Sequence, residues 1–125
     1  MMSNLLDPDL GLQDLSVNEL RVMVSRDSES VLRRGRAMME LGRRASSDAA
    51  LLQGVADMIR APGNRRLITV GTTSVSQLGT AGLVAGGSQR ALALATELAG
   101  EWERDEQSDF AWLMRSSGIT WPLAD

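Results

Sequence analysis

Helix start signals recur at short intervals along this chain of 125 residues. Ser16 and Glu19 form a capping box, in which the serine hydroxyl accepts from the backbone and the carboxylate reaches back to it. Capping residues of the same kind precede the segments that follow: Asp27 or Ser28, Ser47 or Asp48, and Ser88. A chain organised in this way is confined to short helices joined by tight turns.

The apolar residues between these caps are spaced three or four apart, which is typical of amphipathic helices. About five to six helices are predicted, approximately over residues 16–25, 28–44, 48–61, 73–85, 89–102 and 109–116. Because helix, turn and helix alternate with almost no strand signal, we predict an all-α fold.

The segment from Arg65 to Val70 is ambiguous. Its β-branched residues would suit a strand leading into Gly71, but no other segment resembles a parallel partner, and one strand makes no sheet. The glycine motifs of nucleotide-binding loops are absent as well. Over residues 64–70 we favour the end of a helical turn or an irregular link, with a strand as the alternative.

The chain also repeats itself. A shift of 44 places Ser30-Val31 on Ser74-Val75, Gly35 on Gly79 and Gly42 on Gly86. In the following helices the shift is 41, which places Ala50-Leu51 on Ala91-Leu92. A period in the low forties with two helices per unit is typical of HEAT and armadillo repeats, and a helical bundle with coinciding glycines is the alternative. Glycines inside helices favour stacking, because close helix contact would offset their poor helix propensity.

The segment Val31 to Gly42 carries a more specific likeness. Its sequence VLRRGRAMMELG, preceded by Asp27, resembles the Val-Arg, small residue, Leu-Gly pattern of HEAT-like repeats. The second copy departs from it at Ser76 and Gln77. The resemblance implies a short right-handed HEAT-like stack of antiparallel helices in one domain, 1–125. It would have a repeat core at 16–116, an N-terminal extension at 1–15 and a C-terminal tail at 117–125.

The chain contains no His, Cys, Lys or Tyr. This excludes catalysis through a thiol, an amine or a Ser–His pair, and zinc sites built from His and Cys. The acidic run from Glu101 to Asp109 lacks the spacing of a calcium loop and is expected to be a solvated helix end and loop. We therefore predict no catalytic residue, metal or cofactor. A hydrolase using carboxylates alone, with Asp48 and Asp57 nearest the repeat core, is a less favoured alternative.

Charge is unevenly distributed. Residues 33–66 have a net charge of +5, whereas residues 1–32 and 67–125 each have −4. Helical pairs of Glu40 with Arg36, Arg43 and Arg44 on a solvated face would explain much of this. The functional alternative is a basic surface for an acidic partner or for phosphates. Its candidate residues are Arg33, Arg36, Arg43, Arg44, Arg60, Arg65 and Arg66.

All four aromatic residues follow position 100: Trp102, Phe110, Trp112 and Trp121. Phe110 shares a helix face with Leu113 and Met114, whereas Trp112 points elsewhere. We expect most of this cluster to seal the end of the stack, because terminal repeats must be capped. The alternative is an anchor for a partner, with Trp112 and Trp121 as the first candidates.

Together these patterns favour a non-enzymatic protein-interaction module that binds an acidic protein or its own copy. HEAT-like proteins that resemble this chain bind proteins or nucleic acid, so binding of nucleic acid is the second hypothesis. An isoelectric point near 4.9 and the lack of aromatic residues near the arginines oppose it. We expect no membrane partner and a cytoplasmic location, because the chain shows no membrane span, signal peptide or cysteine.

Overall fold

The computed structural model describes residues 6–121, which form eight helices and one two-stranded sheet. The elements, in chain order, are α1 Leu10–Gln13, α2 Val17–Ser25, α3 Val31–Ala45, α4 Ala49–Arg60, α5 Pro62–Arg66, β1 Ile68–Val70, β2 Thr73–Ser74, α6 Val75–Gly86, α7 Gln89–Gly100 and α8 Arg104–Ser116. The protein is thus mostly helical, as predicted. No helix in this range has the length and apolar character that crossing a lipid bilayer requires.

The predicted helix count was too low because α1 and α5 are single turns with little apolar periodicity. Helix α1 lies within the predicted N-terminal extension. Residues 1–5 of that extension and residues 122–125 of the predicted C-terminal tail lie outside the described residues. The predicted start of the last helix at residue 109 was also wrong. Helix α8 begins at Arg104, because Glu103 and Glu106 form a capping box there. Asp105 and Glu106 lie in its first turn, where negative charge interacts favourably with the helix dipole, so the acidic run is helical from Arg104 onward and only residues 101–103 lie outside the helix.

Most of the predicted caps are present. Ser16 and Glu19 make both hydrogen bonds of the capping box, and Asp48 and Ser88 cap α4 and α7. The predicted cap of α3 at Asp27 or Ser28 was wrong, because Ser30 Oγ accepts the hydrogen bond from Arg33 N at 3.2 Å.

Residues 68–70 form a strand, contrary to the favoured prediction. Strand β1 pairs with β2 in an antiparallel hairpin, which needs only a local partner and not the parallel strand sought in the sequence. Gly71 makes this turn possible, because its φ of +57° lies in the left-handed region that favours glycine. Thr69 Oγ1 closes the hairpin by donating to the Thr73 carbonyl oxygen at 2.8 Å.

Helices α3 and α6 pack side by side and run in the same direction. A Cβ atom added at Gly35 would lie 2.7 Å from Leu78 Cδ1, and one turn later Gly82 lies against Met39. The contacts therefore advance together along both helices. This parallel pair is the largest helix–helix interface in residues 6–121.

Glycines on both sides allow this close approach. A Cβ atom at Gly42 would lie 2.9 Å from the Leu83 backbone nitrogen, and one at Gly82 would overlap the Met39 carbonyl group. Backbone atoms in a packed interior have little room to move aside. The glycines that weaken these helices in isolation are therefore the residues that let their backbones touch.

Helices α4 and α7 form a second parallel pair. Ser76 Oγ, in the first turn of α6, donates to the Ile59 carbonyl oxygen at 2.6 Å, so α4 ends where α6 begins. Arg60 at the end of α4 contacts Glu101 at the end of α7, with 2.7 Å between Nη2 and Oε2. Helix α4 is therefore antiparallel to α6 and parallel to α7.

Helices α2 and α8 lie at the two ends of this arrangement. Arg34 Nε at the start of α3 donates to the Val24 carbonyl oxygen of α2 at 2.8 Å. Gln77 Nε2 at the start of α6 donates to the Glu106 carbonyl oxygen of α8 at 3.0 Å.

Helix α6 lies in the middle and is almost completely enclosed: residues 75–84 are all buried. Its polar side chains have partners, since Thr80 Oγ1 donates to the Ser76 carbonyl oxygen at 2.9 Å. No buried side-chain nitrogen or oxygen within residues 6–121 lacks a hydrogen bond.

Candidate interaction surfaces

Glu40, in the middle of α3, holds two of the predicted arginines. Its carboxylate is only 7% exposed and lies 2.9 Å from Arg44 Nε and 3.6 Å from Arg43 Nη1. Two of the three predicted pairs of Glu40 are therefore present. The predicted solvated face is wrong at this position, because the N-terminal segment covers it.

Arg43 and Arg44 fasten that N-terminal segment to α3. Arg44 Nη2 donates to the carbonyl oxygens of Leu12 at 3.2 Å and Gln13 at 3.0 Å, and Arg43 donates to that of Leu6. Burial lowers the pKa of Arg43, although Glu40 acts in the opposite direction. Both side chains point towards oxygen atoms of the same chain, so their charge stabilises the folded structure.

Arg60 and Arg65 pair with acids that follow 41 residues later. Arg60 donates from Nε to Glu101 Oε1 at 3.0 Å and from Nη2 to Oε2 at 2.7 Å, and Arg65 Nη2 lies 2.7 Å from Glu106 Oε1. This separation equals the 41-residue shift that places Ala50-Leu51 on Ala91-Leu92. Opposite charges at that separation are the sequence signal that could have identified both pairs. Hydrogen bonding between Arg60 and Glu101 raises the pKa of Arg60 and lowers that of Glu101.

We expect Glu101→Gln to lower the free energy of unfolding by less than about 1 kcal/mol at pH 7, because the pair is exposed and screened by solvent. The folded-state pKa of Glu101 is depressed, so its stabilising effect is present above the unfolded-state pKa. It is lost as the pH falls through the folded-state value. Urea unfolding of both proteins at pH 7 and pH 3 measures this, and the difference should be smaller at pH 3. Glu97→Gln, whose carboxylate is 3.8 Å from Arg60, is the control and should change less. An equal loss at both pH values would show that the carboxylate charge is irrelevant.

The other three predicted arginines are less enclosed. Arg33 pairs with Glu29 at 3.3 Å on the first turn of α3. Arg36 is half-buried, and Arg66 is exposed beside Glu103 and Glu106 in a polar groove. Five of the seven arginines, all except Arg36 and Arg66, are thus paired with carboxylates of the same chain, which reduces the basic character of this surface. Whether any of them binds a partner stays a prediction.

Three of the four aromatic residues form a buried seal. Phe110 is completely buried between Trp102 and Trp121, which it meets edge to face at centroid distances of 5.1 and 5.0 Å. Trp121 is only 8% exposed. Of the two tryptophans predicted as anchors, Trp121 therefore contributes to the core of the folded chain.

Trp112 differs from the other aromatic residues because it is 66% exposed. It lies on the side of α8 opposite Phe110, and residues three and four positions away share its face. We call this face the terminal surface; it consists of Ser108, Asp109, Trp112, Arg115 and Ser116. Asp109 is half-buried and the other members are exposed. The surface is therefore an exposed indole ring flanked by one acid, one arginine and two serines.

Four other large apolar side chains in the described residues are exposed: Val22, Leu32, Ile68 and Val70. Ile68 and Val70 project from the hairpin and are 47% and 50% exposed; no surface was predicted here because an irregular link was favoured over a strand. Val22 is 51% exposed on α2, beside a shallow groove also lined by Leu15 and Met23. None of these matches Trp112 in size or exposure.

The carboxylates considered for hydrolysis have structural partners. Asp48 Oδ1 accepts from the backbone nitrogens of Ala50 and Leu51, as expected for a cap, and Asp57 Oδ1 accepts from Gln53 Nε2 at 3.0 Å. Within residues 6–121, no group of three or more carboxylates is placed to hold a metal ion.

Comparison with protein-family models, curated proteins and solved structures finds no match for this chain. A functional assignment therefore depends on the physical character of the surfaces described above.

Proposed function

We propose that this protein is a non-enzymatic interaction module, a short HEAT-like stack that binds a protein partner through the terminal surface. The exposure of Trp112 carries the proposal. A cytoplasmic location is part of the proposal, because a chain without cysteine suits a reducing compartment.

The HEAT-like part of the proposal is supported by helices that pack on their repeat equivalents. Helices α3 and α6, which begin after Ser30 and Ser74, are parallel neighbours, and so are α4 and α7. Stacking of equivalent helices in the same direction is how repeat proteins build a continuous core. Stacks of this kind carry their function on exposed surfaces.

The choice of the terminal surface rests on desolvation. An indole ring that stays largely in water does not contribute the free energy that its burial would provide, and a bound partner could bury it. Tryptophan is also strongly enriched among the residues that dominate binding energy. The arginine surface is the weaker candidate, since Glu40, Glu101 and Glu106 already engage much of its charge. An acidic partner would have to compete with these carboxylates.

An affinity experiment tests the proposal. We expect Trp112→Ala to reduce the recovery of a partner from native-host lysate at least tenfold, because loss of a hot-spot side chain removes about 2 kcal/mol or more of binding free energy. Recovery is measured by quantitative mass spectrometry, and the partner's affinity is then measured by calorimetry with purified proteins. Val22→Ala is the matched control, since it removes another exposed apolar side chain from a helix.

A second variant, Arg33→Ala with Arg36→Ala, distinguishes the two surfaces. Partner recovery that survives Trp112→Ala but is lost with the arginine variant would refute the terminal surface. Salt-sensitive binding to random DNA that depends on the same arginines would instead support nucleic-acid binding.

A further inference from the structure

An open groove of about 270 Å³ lies between the β1–β2 hairpin and α8. At about 30 Å³ for each water molecule, this is the volume of roughly nine waters, which leaves room for one long side chain. Asp109 lines this groove and also belongs to the terminal surface, so the two are continuous. We call it the hairpin groove; its lining includes Arg65, Ile68, Gly71, Thr72, Glu106 and Asp109.

The two walls of the hairpin groove are held together by Gln77, which also lines it and is only 2% exposed. Gln77 Oε1 accepts from the Ser74 backbone nitrogen at 2.9 Å, and Gln77 Nε2 donates to the Glu106 carbonyl oxygen at 3.0 Å. One buried amide therefore joins the end of the hairpin to α8. Because the walls are already joined, a ligand would not have to order them on binding.

The hairpin groove has a net negative charge that the fold does not offset. One arginine and two acids line it, a net charge of −1, and Arg65 Nη2 lies 2.7 Å from Glu106 Oε1. Within residues 6–121, no hydrogen bond or ion pair engages the carboxylate of Asp109, which is half-buried. A carboxylate that is partly withdrawn from water and has no partner favours a cation as its ligand.

Trp112 places an aromatic ring beside this carboxylate. It follows Asp109 by three residues, a spacing that brings two Cβ atoms on a helix within about 5–6 Å, and its ring is 66% exposed. Arg115 lies on the other side of Trp112 and donates from Nε to the Ala111 carbonyl oxygen at 3.3 Å, so it does not offset Asp109. A guanidinium group suits such a site, because it pairs with a carboxylate through two N–H groups and stacks on an aromatic face.

We propose that the terminal surface binds an arginine-bearing segment of a partner protein. The arginine side chain lies in the hairpin groove, with its guanidinium group between Asp109 and Trp112 and its methylene carbons against Ile68. The inference rests on the proposed function, because it names the chemistry of the partner at the same surface. An acidic segment would bring like charge to Asp109, and a metal ion would find only one carboxylate in the groove not already paired with an arginine.

A titration with two capped peptides tests the proposal. The first is Gly-Arg-Gly, and the second carries citrulline, which has the same shape without the charge. We expect the arginine peptide to bind with a dissociation constant of about 1–10 mM, as a single side chain allows, and the citrulline peptide at least about tenfold more weakly. Heteronuclear NMR of the labelled full chain measures both. The shifts should be centred on the amides of Gly71, Thr72 and Asp109 and on the indole N–H of Trp112.

Three variants locate the binding site. Asp109→Asn should weaken binding of the arginine peptide at least about tenfold, and Trp112→Ala should weaken it about two- to fivefold. Asp105→Asn is the matched control, since it removes the same charge from an exposed position one turn earlier on α8. It should change the affinity by less than about twofold. The comparison of the two peptides uses the unchanged chain, so it does not depend on how the variants fold.

Several results would overturn the proposal. Equal binding of the arginine and citrulline peptides would do so, as would shifts confined to other parts of the chain or an equal loss in Asp109→Asn and Asp105→Asn. Equal binding of capped Gly-Lys-Gly would show that only charge is recognised and would contradict the choice of arginine. Sedimentation equilibrium without peptide supplies one more outcome: a mass above 13.5 kDa that falls with Asp109→Asn would make a second copy the occupant. Partner capture that depends on Trp112 would leave the proposed function standing in each case.

Discussion

Replacing Gly82 by alanine should lower the free energy of unfolding by about 3 kcal/mol or more, a large part of the stability of an ordinary domain. The added methyl group would overlap the carbonyl group of Met39, which belongs to the α3 backbone. Neither helix can relieve this overlap by changing a side-chain rotamer, so α3 and α6 must separate and lose the contact at Gly42 as well. Thermal and urea unfolding followed by circular dichroism measure the effect.

Gly100→Ala provides the matched control. Gly100 is likewise a helical glycine, the last residue of α7, but a Cβ atom there would meet nothing within 4 Å. This variant should be unchanged or more stable by up to about 1 kcal/mol, because alanine is the better helix former. If both alanine variants behaved alike, the close backbone contact between α3 and α6 would be refuted.

Phe110→Ala should be comparably destabilising, by about 3–5 kcal/mol, as is usual for removing a buried phenylalanine. The ring is completely buried and contacts Trp102 and Trp121 edge to face, so its loss leaves a cavity between two tryptophans. Urea unfolding gives the free energy. Tryptophan fluorescence of the folded variant should also shift to longer wavelength as water reaches those rings.

Trp112→Ala is the control for this second variant and should alter stability by no more than about 0.5 kcal/mol, as expected for an exposed side chain. Comparable destabilisation by both variants would mean that Trp112 packs against the core. The same measurement establishes that any loss of binding by Trp112→Ala has its origin in the surface.

Local signals in the sequence predicted much of the helical framework. Ser16, Asp48 and Ser88 cap helices as expected, because a cap depends only on residues within one turn. The cap of α3 was placed too early because several adjacent residues between Asp27 and Ser30 could serve chemically. The cap falls on Ser30, the last of them. The hairpin was missed because its second strand, Thr73–Ser74, is only two residues long and therefore shows no alternating pattern of its own.

The candidate surfaces were less predictable because charge and exposure depend on the tertiary arrangement. The sequence placed Trp112 off the apolar face of its helix, and this is confirmed. It could not show that Arg44 would be directed into the carbonyl groups of Leu12 and Gln13, because that contact joins segments about thirty residues apart. Nor could it distinguish Trp121, which lies beyond the last helix, from an exposed anchor.

The enclosure of α6 has a consequence for how this protein can change over time. A helix with no side facing water offers no position where a charged or bulky substitution is tolerated, since either an unpaired charge or excess volume would enter the interior. Its sequence is therefore restricted to small and apolar residues, with a few hydroxyl groups and one amide, that of Gln77, which are hydrogen-bonded within the protein. The outer helices α2 and α8 each keep one side free to vary. Divergence among relatives should accordingly be lowest in the segment between Val75 and Val84, and new binding properties should arise at the two ends of the molecule.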